Sequence, residues 1–205
     1  MIEFYTYDTS NGQRVAIMLE ECGLPYRVHK VDLAKGGQRH PEFLRLNPTG
    51  AIPVIVDADG PGGRPLTLAQ SGAILLYLAE KAGRFLPRDP ERRAIAQQWL
   101  MHAVTDCAAT SGVIYALSAR APDKSAANVA FFEERLLRYL SVADARLADR
   151  EWLADEPSIA DFALYPIYAV RKAVIDAAGG MPNLRRWAAA LAARPGVARA
   201  MRPVA

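Results

Sequence analysis

The sequence predicts an α/β unit with a mixed sheet over residues 1–82, followed by an all-helical domain over residues 92–205. Two observations carry that division. Up to about Leu78, short apolar runs alternate with amphipathic segments, the pattern of strands interleaved with helices. Beyond a linker punctuated by Pro87 and Pro90, only helical periods remain, in long stretches rich in Ala and Leu.

Taken in order, residues 2–7 read as a strand and 14–21 as a helix with Val15, Met18 and Leu19 on one face. Gly23 stops that helix from the C′ position and Pro25 reinforces the stop. Residues 26–33 form a second strand, 41–46 a short helix and 53–57 a third strand. The run Asp59-Gly60-Pro61-Gly62-Gly63 is a turn, so residues 65–68 should return antiparallel. Ser71 is expected to cap a helix through Lys81 that Gly83 ends. In the second half, helices are expected at about 92–119, 124–148, 159–177 and 184–193.

Composition excludes several classes. A chain of 205 residues, 51% hydrophobic and 23% charged, can bury a good core. Its net charge of +3 is too small, and its basic residues too interspersed with acidic ones, to argue for nucleic acid. Arg92-Arg93 reads as a solvated helix face rather than a phosphate site. No apolar run approaches the ~20 residues of a membrane helix, and no leader-like segment is evident before the first strand, so the expectation is a cytoplasmic protein without a membrane partner. Cys22 and Cys107 lie far apart, and no clustered ligand set argues for a metal.

Two short runs name a ligand type. In Asn47-Pro48-Thr49-Gly50-Ala51-Ile52-Pro53, a proline opens a buried-looking strand and cannot donate to the ladder, which frees the backbone of Ile52 to pair with something else. In Ala69-Gln70-Ser71-Gly72-Ala73-Ile74, polar Gln70 and Ser71 stand where a strand hands over to a helix, and the free amides of a first helical turn can receive a carboxylate. Backbone pairing on one side and carboxylate capture on the other describe a receptor for a short peptide. A third run, Ser158-Ile159-Ala160-Asp161, is a capping box flanked by Pro157 and Phe162, and Asp161 reads as a structural cap rather than a catalytic acid.

These three motifs, in this order and spacing, resemble the glutathione transferase superfamily over essentially the whole chain. The resemblance implies a thioredoxin-like N-terminal domain, an all-α C-terminal domain and a cis peptide bond before Pro53. It also implies that Ile52 and Pro53 meet the cysteinyl backbone of glutathione, while Gln70 and Ser71 hold its γ-glutamyl end. Glutathione is then the substrate, with no other cofactor. Thr9-Ser10-Asn11-Gly12 and Lys35-Gly36-Gly37-Gln38 are similar to segments of the bacterial nu-class enzymes and their fungal prion-like relatives. That similarity makes Thr9, Asn11 and Gln38 candidates for the glutathione site. Ser10 stands where these relatives usually have proline, and Gln70 where they often have glutamate. Phe131-Phe132 fall near an arginine used by the nu class, leaving Arg135 or Arg138 as substitutes.

The expected chemistry lies at the first strand–helix junction. Ser10 or Asn11 is expected to cap the helix, while Thr9 and Asn11, with Ser10 beside them, aim donors at a thiolate. A thiol has a reference pKa of about 8.5, and lowering it by about two units requires about 2.7 kcal/mol of preferential thiolate stabilisation. One or two hydrogen bonds to a charged acceptor, at roughly 1.5–3 kcal/mol each, have that size. Tyr5 and Tyr7 compete for the hydroxyl role, with Thr9 favoured by the motif. A Thr or Ser nucleophile would call for a histidine, and His29, His40 and His102 lie in no evident triad. Cys22 reads as packing. The resemblance places an acceptor pocket near Ser111 and Tyr115, although Tyr115 reads equally as core. It implies a homodimer through the helix at residues 72–80, and a hydrophobic electrophile or a disulfide as co-substrate. Conjugation is the first reading; disulfide reduction, peroxide reduction and a non-catalytic binding module are the alternatives.

Overall fold

The computed structural model describes residues Met1–Val204, which fall into two compact units. The first comprises Met1–Arg84 together with the chain from Arg194 onward; the second is Phe85–Ala193.

The first unit is a four-stranded sheet in the order β2-β1-β3-β4, formed by β1 (Ile2–Thr6), β2 (Tyr26–Lys30), β3 (Val54–Asp57) and β4 (Leu66–Ala69). β1 pairs parallel with β2 and antiparallel with β3, and β3 pairs antiparallel with β4. Alternation along β1 buries Ile2, Phe4 and Thr6. Helix α1 (Ser10–Cys22) packs against α3 (Ser71–Ala82), burying Val15, Ile17, Met18 and Leu19. The short α2 (Pro41–Leu46) contributes Phe43 to a cluster with Val31 and Val54. Gly23 ends α1 at φ 65°, as the sequence leads one to expect. β2 stops three residues short of the expected Leu33, because Asp32 Oδ1 accepts the amides of Ala34 and Lys35 and bends the chain into a turn.

Two expectations about helix starts need correction. Thr9, and neither Ser10 nor Asn11, is the N-cap of α1: its backbone is extended and its hydroxyl oxygen accepts the Gly12 amide at 3.1 Å. Ser71 does not cap α3 but is its first residue; the preceding position belongs to Gln70, whose side chain makes no cap bond.

The second unit is helical. α4 (Pro90–Met101) and α5 (Ala108–Tyr115) are joined through the π-helical turns His102–Cys107, and a further π segment covers Ala116–Arg120. The sequence reads this stretch as one helix. α6 (Ala126–Arg146), α7 (Ile159–Ala178) and α8 (Pro182–Ala192) complete the unit. A last helix, α9 (Pro195–Ala200), was not expected, and with the residues after it corrects the assignment of 92–205 to the helical domain. α9 packs on α1, with Arg194 bonded to Glu21 at 2.6 Å and Arg199 to Glu20 at 2.6 Å.

The capping box is present at the start of α7. Asp161 is fully buried and accepts four hydrogen bonds, from the Ser158 amide and hydroxyl, the Leu153 amide and Trp187 Nε1 at 2.8–3.1 Å. Burial pushes its carboxyl pKa up against the pull of those donors. It joins the loop between α6 and α7 to α8. Asp161→Ala leaves buried donors without an acceptor, and should cost on the order of 3 kcal/mol or more of unfolding free energy in urea titrations.

Candidate functional site

The register of the sheet gathers four chain segments at one end. Tyr5 lies opposite Val54, and Val54 opposite Ala69. The loop after β1, the loop before β3 and the turn after β4 therefore open on the same edge. β2 runs parallel to β1, so the segment after Lys30 leaves from that edge as well. Thr9, Ser10, Asn11, Gln38, Ile52, Pro53, Gln70 and Ser71 all belong to these four segments.

At the first segment the chain turns sharply from β1 into α1. A Cβ on Gly12 would lie 2.6 Å from the Tyr7 carbonyl oxygen and closer still to Thr6 Oγ1, so only glycine permits this approach. Thr9 Oγ1 spends one lone pair on the Gly12 amide, while its own proton remains available to an acceptor outside the helix. Ser10 and Asn11 occupy the first turn, where amides have no partner within the helix. Tyr5 instead stacks on His29 at 4.5 Å and packs near Phe43, within the cluster around Val54.

The second segment is organised by Asn47, which is 5% exposed. Its Nδ2 donates to the Ala51 carbonyl at 2.7 Å, while Oδ1 accepts the Thr49 amide and hydroxyl. Gly50 turns at φ 62°. The Ile52–Pro53 peptide is cis, as the family resemblance implies, and the ladder begins only at Val54, leaving Ile52 outside it.

Gln38 lies on a short 3₁₀ turn, Gly37–Arg39, against this loop: a Cβ on Gly50 would come within 3.3 Å of its carbonyl oxygen. Its side-chain Oε1 is buried and has no hydrogen-bond partner among the described residues. A buried amide oxygen in that state is an acceptor waiting for a donor.

The fourth segment carries backbone strain. Gln70 has φ 70°, ψ 107°, a conformation that non-glycine residues rarely hold and that clusters at ligand clamps. Ser71 opens α3, and its Oγ accepts from Arg14 Nη1 at 3.4 Å. The Ser71 proton is thereby directed away from Arg14, toward whatever meets the start of α3. Arg14 is 1% exposed and was missed in the sequence, although an arginine on the apolar face with Ile17 and Met18 was the available signal. A second device anchors α3. Asp57 accepts from the Tyr77 hydroxyl at 2.6 Å and from the Asp59 amide, and pairs with Lys81 at 2.9 Å.

Other candidates fall elsewhere. Burial pushes the Cys22 thiol up to about 11, which suits the packing role expected of it. His102 does have neighbours that the sequence reading missed: Asp106 Oδ2 lies 3.2 Å from Nδ1 and Cys107 Sγ 3.6 Å from Nε2, but Cys107 is fully buried. Ser111 and Tyr115 lie in the second unit. Ser111 Oγ and its carbonyl accept from Arg171, on α7, at 2.9 and 2.6 Å, and Tyr115 is 52% exposed with Arg120 over its ring. Arg135 bonds the Tyr139 hydroxyl and Arg138 pairs with Glu134, both along α6. Among the described residues no group of three or more His, Cys, Asp or Glu is placed to hold a metal, and no helix is long and apolar enough to cross a membrane.

Comparison with known proteins identifies the family of both units. Residues 10–81 match the glutathione S-transferase N-terminal domain and residues 104–195 the C-terminal domain. The chain is 40% identical over 204 residues to the disulfide-bond oxidoreductase YfcG of Escherichia coli, covering 98% of this chain and 94% of that one. Among solved structures, a Pseudomonas putida glutathione transferase with glutathione disulfide bound superposes with a TM-score of 0.90 at 36% identity, covering 98% and 90% of the two chains. One from Pseudomonas fluorescens with two glutathione molecules bound gives 0.91 at 36%, covering 99% and 93%. The chain belongs to the glutathione S-transferase family.

The Asp57 anchor has a pH signature. Burial acts to raise its pKa, but Tyr77, Lys81 and the Asp59 amide outweigh it and hold the carboxyl below the ordinary value. A depressed pKa contributes stability that is complete above the unfolded value of about 3.9 and is lost as pH falls through the folded one. Urea denaturation between pH 7 and pH 3 should therefore show a steeper acid limb for the native chain than for Asp57→Asn, which is the less stable of the two at pH 7.

Proposed function

We propose that this protein is an enzyme that binds glutathione at the open end of its sheet and activates the thiol for attack on an electrophile. The observation that carries the reading is the convergence there of four segments with unspent hydrogen-bonding capacity, above all the buried Oε1 of Gln38. That oxygen suits a peptide N–H or the ammonium of the tripeptide. Ile52 offers its backbone to the cysteinyl residue. Gln70 and the Ser71 hydroxyl, with the first amides of α3, receive the γ-glutamyl carboxylate. Gln70 is neutral, so the ammonium is held by hydrogen bonds rather than by an ion pair.

The thiol then lies toward the Thr9 loop. Thr9 donates its remaining proton to the sulfur, and Asn11 and the first turn of α1 add donors and the positive end of the helix dipole. This stabilises the thiolate without a catalytic base. A thiolate so held attacks an electrophilic carbon or a disulfide sulfur. Disulfide reduction is the second reading, favoured by the similarity to YfcG. Ser111 and Tyr115 are the acceptor-side candidates, and a homodimer through α3 is the proposed assembly.

Two substitutions separate the roles. Thr9→Ala should lower turnover tenfold or more and raise the pKa of bound glutathione, read as thiolate absorbance near 240 nm, with little change in glutathione affinity. Thr9→Ser, which keeps both cap and donor, should retain activity. Ser71→Ala should weaken binding about tenfold and spare turnover at saturation. Tight glutathione binding with an unshifted thiol would favour a non-catalytic binding module. A haloaromatic, a hydroperoxide and hydroxyethyl disulfide assayed side by side identify the acceptor.

A further inference from the structure

Thr9 follows a three-residue turn. Its amide donates to the Tyr7 carbonyl at 2.8 Å, an i→i+2 bond that places Asp8 at the apex. The same carbonyl oxygen is the atom that a Cβ on Gly12 would meet at 2.6 Å, so it lies against the first turn of α1. The backbone angles of Asp8 therefore set how Thr9 meets the helix it caps.

Among the described residues, the one hydrogen bond to the Asp8 carboxylate comes from Val204, whose amide donates to Oδ1 at 2.8 Å. The Val204 carbonyl in turn accepts from Lys30 Nζ, at the end of β2, at 3.0 Å. One residue from beyond α9 thus ties the loop after β1 to the strand beside it. That residue is itself on a short leash. α9 is fixed to α1 by the pairs Arg194–Glu21 and Arg199–Glu20, and Met201, Arg202 and Pro203 alone separate Ala200 at its end from Val204. Four Cα steps reach at most ~14 Å, Pro203 has one backbone angle already set, and so short a loop costs little entropy to close. The segment runs from the C-terminal end of α1, where Glu20 and Glu21 lie, back to the residue before its N-cap.

We propose that residues 201–204 are a strap that positions Thr9: by clamping Asp8 they hold the turn in the geometry that aims the Thr9 hydroxyl at the glutathione thiol. Asp8 and Val204 are positioning residues, acting through Thr9. The thiol part of this inference rests on the proposed function; the hold of the strap on the helix cap does not. Asp8 is exposed, so its bond to Val204 is weak and the effects are a few-fold. A small tilt of Thr9 suffices, because a hydrogen bond weakens steeply as its angle closes.

The test compares the native chain with Asp8→Ala, Asp8→Asn and a chain ending at Met201, which keeps all of α9. Hydrogen exchange at the Gly12 amide, without ligand, reports the Thr9 cap; thiolate absorbance of bound glutathione, with kcat and KM, reports the chemistry. In Asp8→Ala and in the shortened chain, the Gly12 amide should exchange about threefold faster. The pKa of bound glutathione should rise by about half a unit and kcat fall about threefold, with KM for glutathione unchanged. Removing the Asp8 charge would by itself lower the thiol pKa, so a rise is not a charge effect. Asp8→Asn, whose side-chain oxygen still accepts the Val204 amide, should stay near the native values. Asp8→Ala in the shortened chain should add nothing, because both changes remove the same bond. The proposal is overturned if Gly12 exchange is unchanged in both variants, if the two losses add, or if the cap loosens while a lowered thiol pKa stays where it is. A thiol unshifted in the native chain would overturn the proposed activity instead; the strap is then decided by Gly12 exchange and its rescue in Asp8→Asn.

Discussion

Val54 holds the molecule's geometry together. It is fully buried, pairs with Tyr5 on one side and Ala69 on the other, and directly follows the cis proline. Shifting β3 by one residue against either neighbour would turn its buried side chains to the wrong face. The same slip would move Ile52 relative to Thr9 and Gln70. Core packing and the alignment of the candidate segments are therefore set by one register, with Asn47 shaping the loop before β3.

The helices that border the site are held by buried polar contacts as well as by apolar ones. Arg14 reaches from α1 to the first residue of α3, and Asp57 reaches from β3 to Tyr77 and Lys81 further along it. α3 is thereby pinned at its start and near its end. Its first turn can meet an anion without moving, which is what preorganisation requires. Thr9 shows the same economy, since one hydroxyl both caps the start of α1 and leaves its own proton unspent.

Much of this was legible in the sequence because it is local. Strand and helix order, the Gly23 stop and the Ser158–Asp161 box each depend on residues within a few positions of one another. Ile52 and Gln70 could be joined from their own motifs, but Thr9 and Gln38 were added to them only through resemblance, because the convergence arises from pairing between strands up to about fifty residues apart. What was misread has physical causes. Three capping-competent residues in a row, Thr9-Ser10-Asn11, cannot be ranked until the extended backbone of the first is known. Ser71 resembles a cap by type, but the positive φ of Gln70 moves the helix boundary. α9 is only six residues long, and its place on α1 comes from ion pairs spanning more than 170 residues.

That last helix has a consequence for how the chain is made. The first unit is not a contiguous stretch: it is closed by residues that follow the helical unit in sequence. While the ribosome is still producing the helical segment, Glu20 and Glu21 on the completed α1 lack Arg199 and Arg194. Glu21, whose side chain is only 7% exposed once paired, then remains in water. The N-terminal half emerges first but is completed only after the helical segment has been made, so its final packing waits on the residues from Arg194 onward.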